Sequence, residues 1–297
     1  MEYELKSISI LDAAANLEVA DLLAHTYGFE LAKDKLKHNT YTNKGKSLYI
    51  GAYKDGKLAG FNAFIQHDFN HQQQVVESYQ SCWSATHSEH RGKGIFAAII
   101  NEAKRILKER GAAFIFGFPN ANSHPIFVKK LGFYEVPLMK VQAPVMAFSL
   151  TKHFLLQSID PAVGIDIADC YTPNELQIIE LKEQELNSNI RIYSAYNNTI
   201  WGKKREKVYR GMKLSYFSVG GIVLNKPHLF SQVLAQLVQK ERASYIEIIG
   251  ATTNVYFQLF KNAKPAPHTE PLIIFDLNVN TSPKSNFNLF TGIKDVF

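Results

Sequence analysis

Thr86-His87-Ser88-Glu89-His90-Arg91-Gly92-Lys93-Gly94-Ile95-Phe96 is the stretch on which the reading of this chain turns. It lies between a run of β-forming residues ending at Thr86 and an amphipathic run beginning at Phe96. Glycines at 92 and 94 let the backbone turn sharply and bring several N–H groups toward one point, and the helix that follows aims its positive end at the same place. Such a geometry binds a diphosphate. Arg91 and Lys93 add mobile positive charge at its rim. Taken alone, the same run is equally a plain glycine turn with solvated basic residues.

The flanks supply the order of elements. Downstream, Ile99, Ile100, Ala103, Ile106 and Leu107 line one side of a helix from Phe96 to Arg110 that stops at Gly111. A buried strand, Ala112 to Phe118, is ended by Pro119-Asn120-Ala121-Asn122-Ser123. A short helix from His124 to Leu131 is capped by Gly132-Phe133, and a β segment runs from Tyr134 to Phe148. Upstream, Ala13 to Leu36 reads as one or two short helices broken at Tyr27-Gly28. Ser47–Tyr53 and Leu58–Ile65 form a hairpin around Lys54-Asp55-Gly56-Lys57. A polar loop around Asn70 to Gln74 then leads into a third β run, Val75 to Thr86.

Ser149 to Ile167, with Asp160-Pro161 and Gly164, reads as a connector, which divides the chain into units 1–150 and 151–297. The second unit weakly echoes the first. Pro173 to Ile179 opens a helix, Lys213 to Leu224 holds a β pair around Gly220-Gly221, and Leu229 to Arg242 is an amphipathic helix. Ser244 to Ala251 is a strand, Val255 to Lys261 a short helix, and Pro271 to Leu277 a last strand. The order repeats while the residues mostly do not, so a tandem pair of modules and a chance likeness of α/β order both stand.

Composition bounds the rest. The chain has 297 residues, 46% hydrophobic and 20% charged, which is globular rather than disordered. A net charge of +6, spread along the chain, suits an anionic small ligand as well as a nucleic acid. Met1 to Lys6 has neither a basic n-region nor an apolar h-region, and no apolar run is long enough to span a bilayer. Cys82 and Cys170 are too far apart for a Cys-x-x-Cys motif, so the cytoplasm is the expected compartment. His67 with His71, or His87 with His90, are close enough to be metal ligands, but no carboxylate or cysteine has matching spacing. They read as solvated loop histidines, and no metal is expected.

The quoted loop resembles the phosphate loop of the GNAT superfamily of acyl-CoA-dependent N-acyltransferases, R/Q-x-x-G-x-G/A between the fourth strand and the following helix. Arg91 and Gly94 match its anchored positions, and Phe96 departs from the third, usually small one. Asn120-Ala121-Asn122-Ser123 to Leu131-Gly132-Phe133 is similar to the family's downstream Asn to Leu-Gly-Phe segment. The resemblance covers residues 10 to 148. It implies a mixed α/β fold, a GNAT-like module followed by a second GNAT-like module without the loop, since Leu224 to Leu229 contains no Gly-x-Gly.

The resemblance also implies site roles. Backbone amides of Arg91, Gly92, Lys93, Gly94, Ile95 and Phe96 would hold the pyrophosphate of acyl-CoA, the cosubstrate. Trp83, Ser84, Ala85 and Thr86 would pair with the pantetheine arm as an added strand, with Asn120 or Asn122 bonding the same arm. The thioester would lie where the third β run and Phe114–Phe118 splay, and a backbone N–H near Ser84 would stabilise the oxyanion. The tyrosine that many members place before Leu-Gly-Phe to protonate the thiolate is replaced by Phe127 and Val128. Ser123 or His124 substitutes for it, or the thiolate leaves unassisted. Glu77 is either a base acting through water or a salt-bridge residue at a strand edge.

A mechanism of positioning plus oxyanion stabilisation suits an amine that arrives largely neutral, as amino sugars do better than lysine. A two-part chain with these motifs looks like the GNAT proteins of bacterial polysaccharide pathways, such as lipopolysaccharide biosynthesis, which acylate nucleotide-linked amino sugars. The expected reaction moves an acetyl or 3-hydroxybutanoyl group to a sugar such as a dTDP-3-amino-3,6-dideoxyhexose. Trp201, Lys203 and Arg205, an aromatic with basic neighbours, are the substrate-binding candidates of the second half. A surface loop with an anchoring Trp explains them equally well. The expected partners are small molecules, without nucleic acid or membrane, in a monomer or homodimer. Two alternatives remain: a Fem-type transferase that uses aminoacyl-tRNA, and a non-catalytic module that senses CoA.

Overall fold

Asp12 and Gly28 bracket the first helix. In the computed structural model of the chain, residues 3–28, 45–144, 167–183, 188–266, 270–282 and 284–294 are described. Helix α1 (Ala13–Tyr27) begins where the Asp12 carboxylate accepts from the Ala15 N–H at 2.8 Å and ends where Gly28 takes φ +73°. The continuation expected up to Leu36 and the connector over 149–166 lie outside the described residues.

Strand β1 (Glu4–Ser7) pairs with β2 (Leu48–Lys54), β2 with β3 (Lys57–His71), and β3 with β4 (Gln74–Thr86), all antiparallel. Asp55 and Gly56 take φ of 50° and 76°, the mirror-image turn that Asp-Gly favours. The polar loop expected after Asn70 is a second such turn, Gln72 and Gln73 at φ 49° and 62°, so both strands are longer than their apolar cores suggest. Helix α2 (Ile95–Glu109) then crosses to β5 (Phe114–Gly117), which is parallel to β4.

Packing follows the alternation of β3. Phe64 packs on α2 with Ile95, Ile99, Ile100 and Ala103, Phe61, Ala63 and Ile65 pack on α1 with Val19, Leu22 and Leu23, and Ala59, the extra residue where β3 bulges against β2, joins the α2 side. Gly60 lets the start of α2 press onto the sheet: a Cβ there would come within 2.5 Å of Ile95 Cγ2.

The segment expected as one strand from Tyr134 to Phe148 breaks at Pro137. It forms β6 (Tyr134–Val136) and β7 (Leu138–Pro144), and residues 145–148 lie outside the described ones. Short β8 (Thr172–Pro173) pairs with β3, and helix α4 (Glu175–Glu183) follows it; helix α3 (His124–Lys130) precedes β6. The second sheet contains β9 (Ile190–Ala195), β10 (Asn198–Tyr209), β11 (Met212–Leu224), β12 (Tyr245–Ala251) and β13 (Lys264–Pro265) together with β7. Helix α5 (Phe230–Glu241) joins β11 to the parallel β12, as α2 joins β4 to β5. The expected β pair around Gly220 is instead one strand with a bulge there, and the run around Trp201, read either as a substrate contact or as a surface loop, lies within β10.

The sheets exchange strands. Strand β14 (Leu272–Asp276), from the second half, lies between β5 and β6, while β7, from the first half, pairs with β12. A cut at residue 150 therefore does not separate the two sheets. Phe69, Phe114, Phe116 and Ile274 of the first sheet share one core with Ile178 and Ile179 of α4 and with Trp201. On its far face the second sheet packs Ile200, Phe217, Val219 and Ile246 against Phe230, Val233, Leu234 and Leu237 of α5. Among the described residues no helix is long and apolar enough to cross a membrane.

Glu175, the first residue of α4, is buried in the shared core, where its carboxylate accepts from the Trp201 indole N–H at 2.7 Å. Burial pushes its pKa from 4.5 up to about 8, and the indole N–H pulls it back only in part. The folded chain therefore holds a proton here that the unfolded chain releases above 4.5. This contribution to stability is complete below that pH and is lost as pH rises through about 8. Buried His67 on β3 acts with the opposite sign. Desolvation and the Lys182 charge lower its pKa to about 3, so its contribution is lost as pH falls from 6.5 toward that value. Glu175→Gln keeps an acceptor for Trp201 but cannot ionise. Its melting temperature is expected to decline less than the parent's between pH 5 and 8, and parallel profiles would refute the buried protonated carboxyl.

Candidate active site

Strands β4 and β5 pair from Ser78 opposite Phe114 to Ser81 opposite Gly117, where β5 ends and β4 continues to Thr86. A Cβ on Gly117 would stand 3.2 Å from the Ser81 carbonyl oxygen, so glycine lets the last pair close before the strands part. At the same level β4 bulges. Phe61 pairs with Ala85 and Ala63 with Cys82, leaving Trp83 and Ser84 opposite Asn62 alone. Trp83 takes φ +55°, a costly conformation for a bulky residue, with its ring buried beside α1.

Asn62 ties the bulge down. Its Nδ2 donates to Ser81 Oγ at 3.1 Å and to the Ala63 carbonyl at 2.9 Å, and the Ser84 hydroxyl donates to its Oδ1. From the end of α1 the Tyr27 hydroxyl donates to the Ser84 carbonyl at 2.7 Å. Neither Asn62 nor Tyr27 stands out in the sequence. Asn62 interrupts an apolar strand, which is the one local sign that a buried polar group has work to do there.

The quoted loop follows. Ser88–His90 forms a 3-10 turn, Gly92 and Gly94 take φ +75° and +80°, and Gly94 is the N-cap of α2. Arg91 to Gly94 are exposed, and a Cβ on either glycine would meet nothing within 4 Å. Arg91 Nε donates to the Thr86 carbonyl at 3.3 Å and Lys93 Nζ to the Glu89 carbonyl at 2.8 Å, so both cations rest on the loop's own backbone. Buried Ile95 anchors the helix start. Phe96, half-buried, meets Phe127 edge-on at 5.2 Å.

The downstream segment is bonded within itself. Asn120 Oδ1 accepts from the N–H groups of Asn122 and Ser123, each at 3.0 Å, and Ser123 Oγ lies 3.2 Å from the same oxygen. His124 Nε2 is 2.7 Å from Glu135 Oε2. Phe127 is buried against Phe133. Glu77 is ion-paired with Lys46 and lies opposite Asp68, on the far side of Ser81 from the bulge.

The structure thus brings Trp83, Ser84, Ala85, Thr86 and the loop together along one strand–turn–helix path. It places the second-half candidates elsewhere. Trp201 is fully buried with its indole on Glu175, a core residue rather than a surface anchor. Lys203 and Arg205, half-buried, continue along the same face of β10. Arg205 is in register with Tyr216, whose ring stacks on Tyr245 at 4.8 Å, and Lys207 Nζ stands 4.7 Å from the Tyr245 ring centre. His67 is a buried strand residue and His71 stacks on Tyr171 at 3.9 Å; neither is a solvated loop histidine.

Residues 8–136 match the family model described as an acetyltransferase (GNAT) domain. Among solved structures, the chain is similar to a GCN5-related N-acetyltransferase from Kribbella flavida, with a TM-score of 0.66 and 12% identity over 93% of this chain and 71% of that one. A probable N-acyltransferase from Enterococcus faecalis V583 gives a TM-score of 0.60 and 12% identity over 94% and 73%. A putative acetyltransferase from Pyrococcus horikoshii gives 0.56 and 12% identity over 98% and 94%. At these identities the likeness is one of fold, and it extends over both modules. No curated protein matches the sequence.

Proposed function

We propose that this acyl-CoA-dependent N-acyltransferase, whose first module carries the GNAT domain of residues 8–136, acylates the amine of a nucleotide-linked amino sugar. The acyl group would be acetyl or 3-hydroxybutanoyl, and a dTDP-3-amino-3,6-dideoxyhexose is the type of acceptor. The observation that carries this reading is the chemistry of the bulge. The side chains bonded around Ser84 are those of Asn62, Ser81 and Tyr27, all neutral, while Glu77 is occupied by Lys46. A site so built favours an amine that is already largely unprotonated.

In this reading the amides of Arg91 to Phe96 and the N-terminus of α2 hold the pyrophosphate, and Trp83 to Thr86 pair with the pantetheine. A backbone N–H of the bulge polarises the thioester carbonyl. The amine forms the C–N bond, the C–S bond breaks, and the amine proton passes to solvent or to the departing thiolate. The region 151–297 would supply the acceptor site. Lys203, Arg205 and the stacked Tyr216–Tyr245 pair support that role, because they offer charge and a flat aromatic surface to a nucleotide.

The test is release of free thiol from acetyl-CoA and 3-hydroxybutanoyl-CoA with a panel of nucleotide-linked amino sugars, simple amines and lysine peptides. Acceptor-dependent release with an amino sugar is expected. Release only with lysine peptides, or silence despite calorimetric CoA binding, would reject the acceptor class. Ser123→Ala and His124→Ala separate the leaving-group alternatives. If either residue protonates the thiolate, kcat should fall by roughly 10²-fold or more, whereas full activity of both across a pH series means that the thiolate leaves without an acid from this segment.

A further inference from the structure

His87, Glu89 and His90 lie on the 3-10 turn that leads into the phosphate loop. Spacing along the chain gave the two histidines no carboxylate partner, but the turn does. One ligand atom from each, an imidazole nitrogen or a carboxylate oxygen, can be chosen so that all lie within 4.8 Å of one another. We propose that this turn is a binding site for a divalent first-row transition ion of the zinc type. The site does not depend on the acceptor reading above.

The neighbours hold the turn in a ligand-ready form. The His87 N–H donates to the Ala59 carbonyl and the His90 N–H to the His87 carbonyl, each at 2.9 Å. His90 Nδ1 is 2.9 Å from the Tyr3 hydroxyl, an outer contact that orients the ring and leaves Nε2 to face an ion. His25, at the end of α1, stacks on His87 at 4.6 Å with the rings 7° from parallel, and its Nε2 lies 3.2 Å from Ser88 Oγ. Among the described residues His87 Nδ1 has no hydrogen-bond partner, and it is shielded from solvent, a state that an ion bound at that nitrogen would relieve.

The donor set defines the ion class. Two imidazoles and one carboxylate give the three protein ligands typical of a zinc site with one open position, and they suit Co²⁺ and Ni²⁺ as well. Mg²⁺ and Ca²⁺, which take oxygen ligands, fit poorly. Glu89 is exposed while both histidines are half-buried, so the site is open on one side to solvent and to water as the remaining ligand.

The test is a Zn²⁺ titration of the tag-free full chain against a chromophoric chelator, with the visible spectrum of the Co²⁺ form as a second readout. One equivalent per chain is expected, with ligand-field bands from Co²⁺ and a Zn²⁺-dependent rise in melting temperature. His87→Ala, His90→Ala and Glu89→Gln should each weaken binding by about tenfold or more, while exposed His228→Ala should leave it unchanged. Circular dichroism checks that the variants fold, and Glu89→Gln on an exposed side chain keeps the test intact if His87→Ala does not. Absence of stoichiometric binding, or binding that folded His90→Ala and Glu89→Gln variants retain, would overturn the site.

Discussion

Gly94→Glu is expected to abolish acyl-CoA binding in a chain that still folds. Gly94 caps α2 at φ +80°, and a side chain there would enter open space rather than the core. The fold therefore bears only the left-handed strain, about 1–2 kcal/mol for a residue with a Cβ. The ligand bears more. A carboxylate about 4 Å from a phosphate, at an effective dielectric near 20, costs roughly 4 kcal/mol, about a thousandfold in affinity. Gly94→Ala carries the strain without the charge and should bind CoA within about tenfold of the parent if the strain is largely common to free and bound states. Calorimetry with CoA, beside a thermal melt, reads both. Unchanged affinity in Gly94→Glu would remove the phosphate loop from this turn.

Trp201→Ala is expected to act on stability rather than on acceptor affinity. The indole is fully buried between the sheets, and β11 lies so close that a Cβ on Gly220 would come within 2.6 Å of Trp201 Cε3. Removing a side chain of this size from a core costs about 3–5 kcal/mol, which lowers the melting temperature by something on the order of 10 °C in a chain this long. Trp201→Phe separates the two parts of the effect. It keeps much of the volume but takes the N–H from the Glu175 carboxyl, a loss of about 1–3 kcal/mol for a buried group left unsatisfied. If Trp201→Ala instead melted like the parent and raised the KM of an amino-sugar acceptor, the ring would belong to a binding surface and the packing described above would be wrong.

The contrast between these two positions shows where local reading succeeds. Gly92 and Gly94 sit in a short turn whose conformation their own φ freedom sets, between a strand and a strongly amphipathic helix, so the turn is legible from neighbouring residues. Trp201 is followed by Gly202-Lys203-Lys204-Arg205, which reads equally as a nucleotide contact or as a surface loop with an anchoring Trp. In fact one side of β10 packs Trp201 against the first sheet while Ile200 faces α5. A strand sandwiched in this way carries no clean two-residue alternation, because its ends leave the core on both faces. The same limit hid Asn62 and Tyr27. Their roles rest on contacts with Ser84 across 22 and 57 residues of chain.

By itself, then, the sequence determined the mixed α/β class, the strand–loop–helix path from Val75 to Arg110, the Asp-Gly hairpin and the absence of a glycine loop in the second half, since turn chemistry and helix periodicity act over a few residues. Only the tertiary structure decided that β14 inserts between β5 and β6, that β7 joins the second sheet, that β4 bulges opposite Asn62, and that His87, Glu89 and His90 converge. Strand pairing is fixed by contacts between distant parts of the chain, which compete with one another until the whole core closes, whereas the three ligand residues converge on a local 3-10 turn that Ala59, Tyr3 and His25 hold in place.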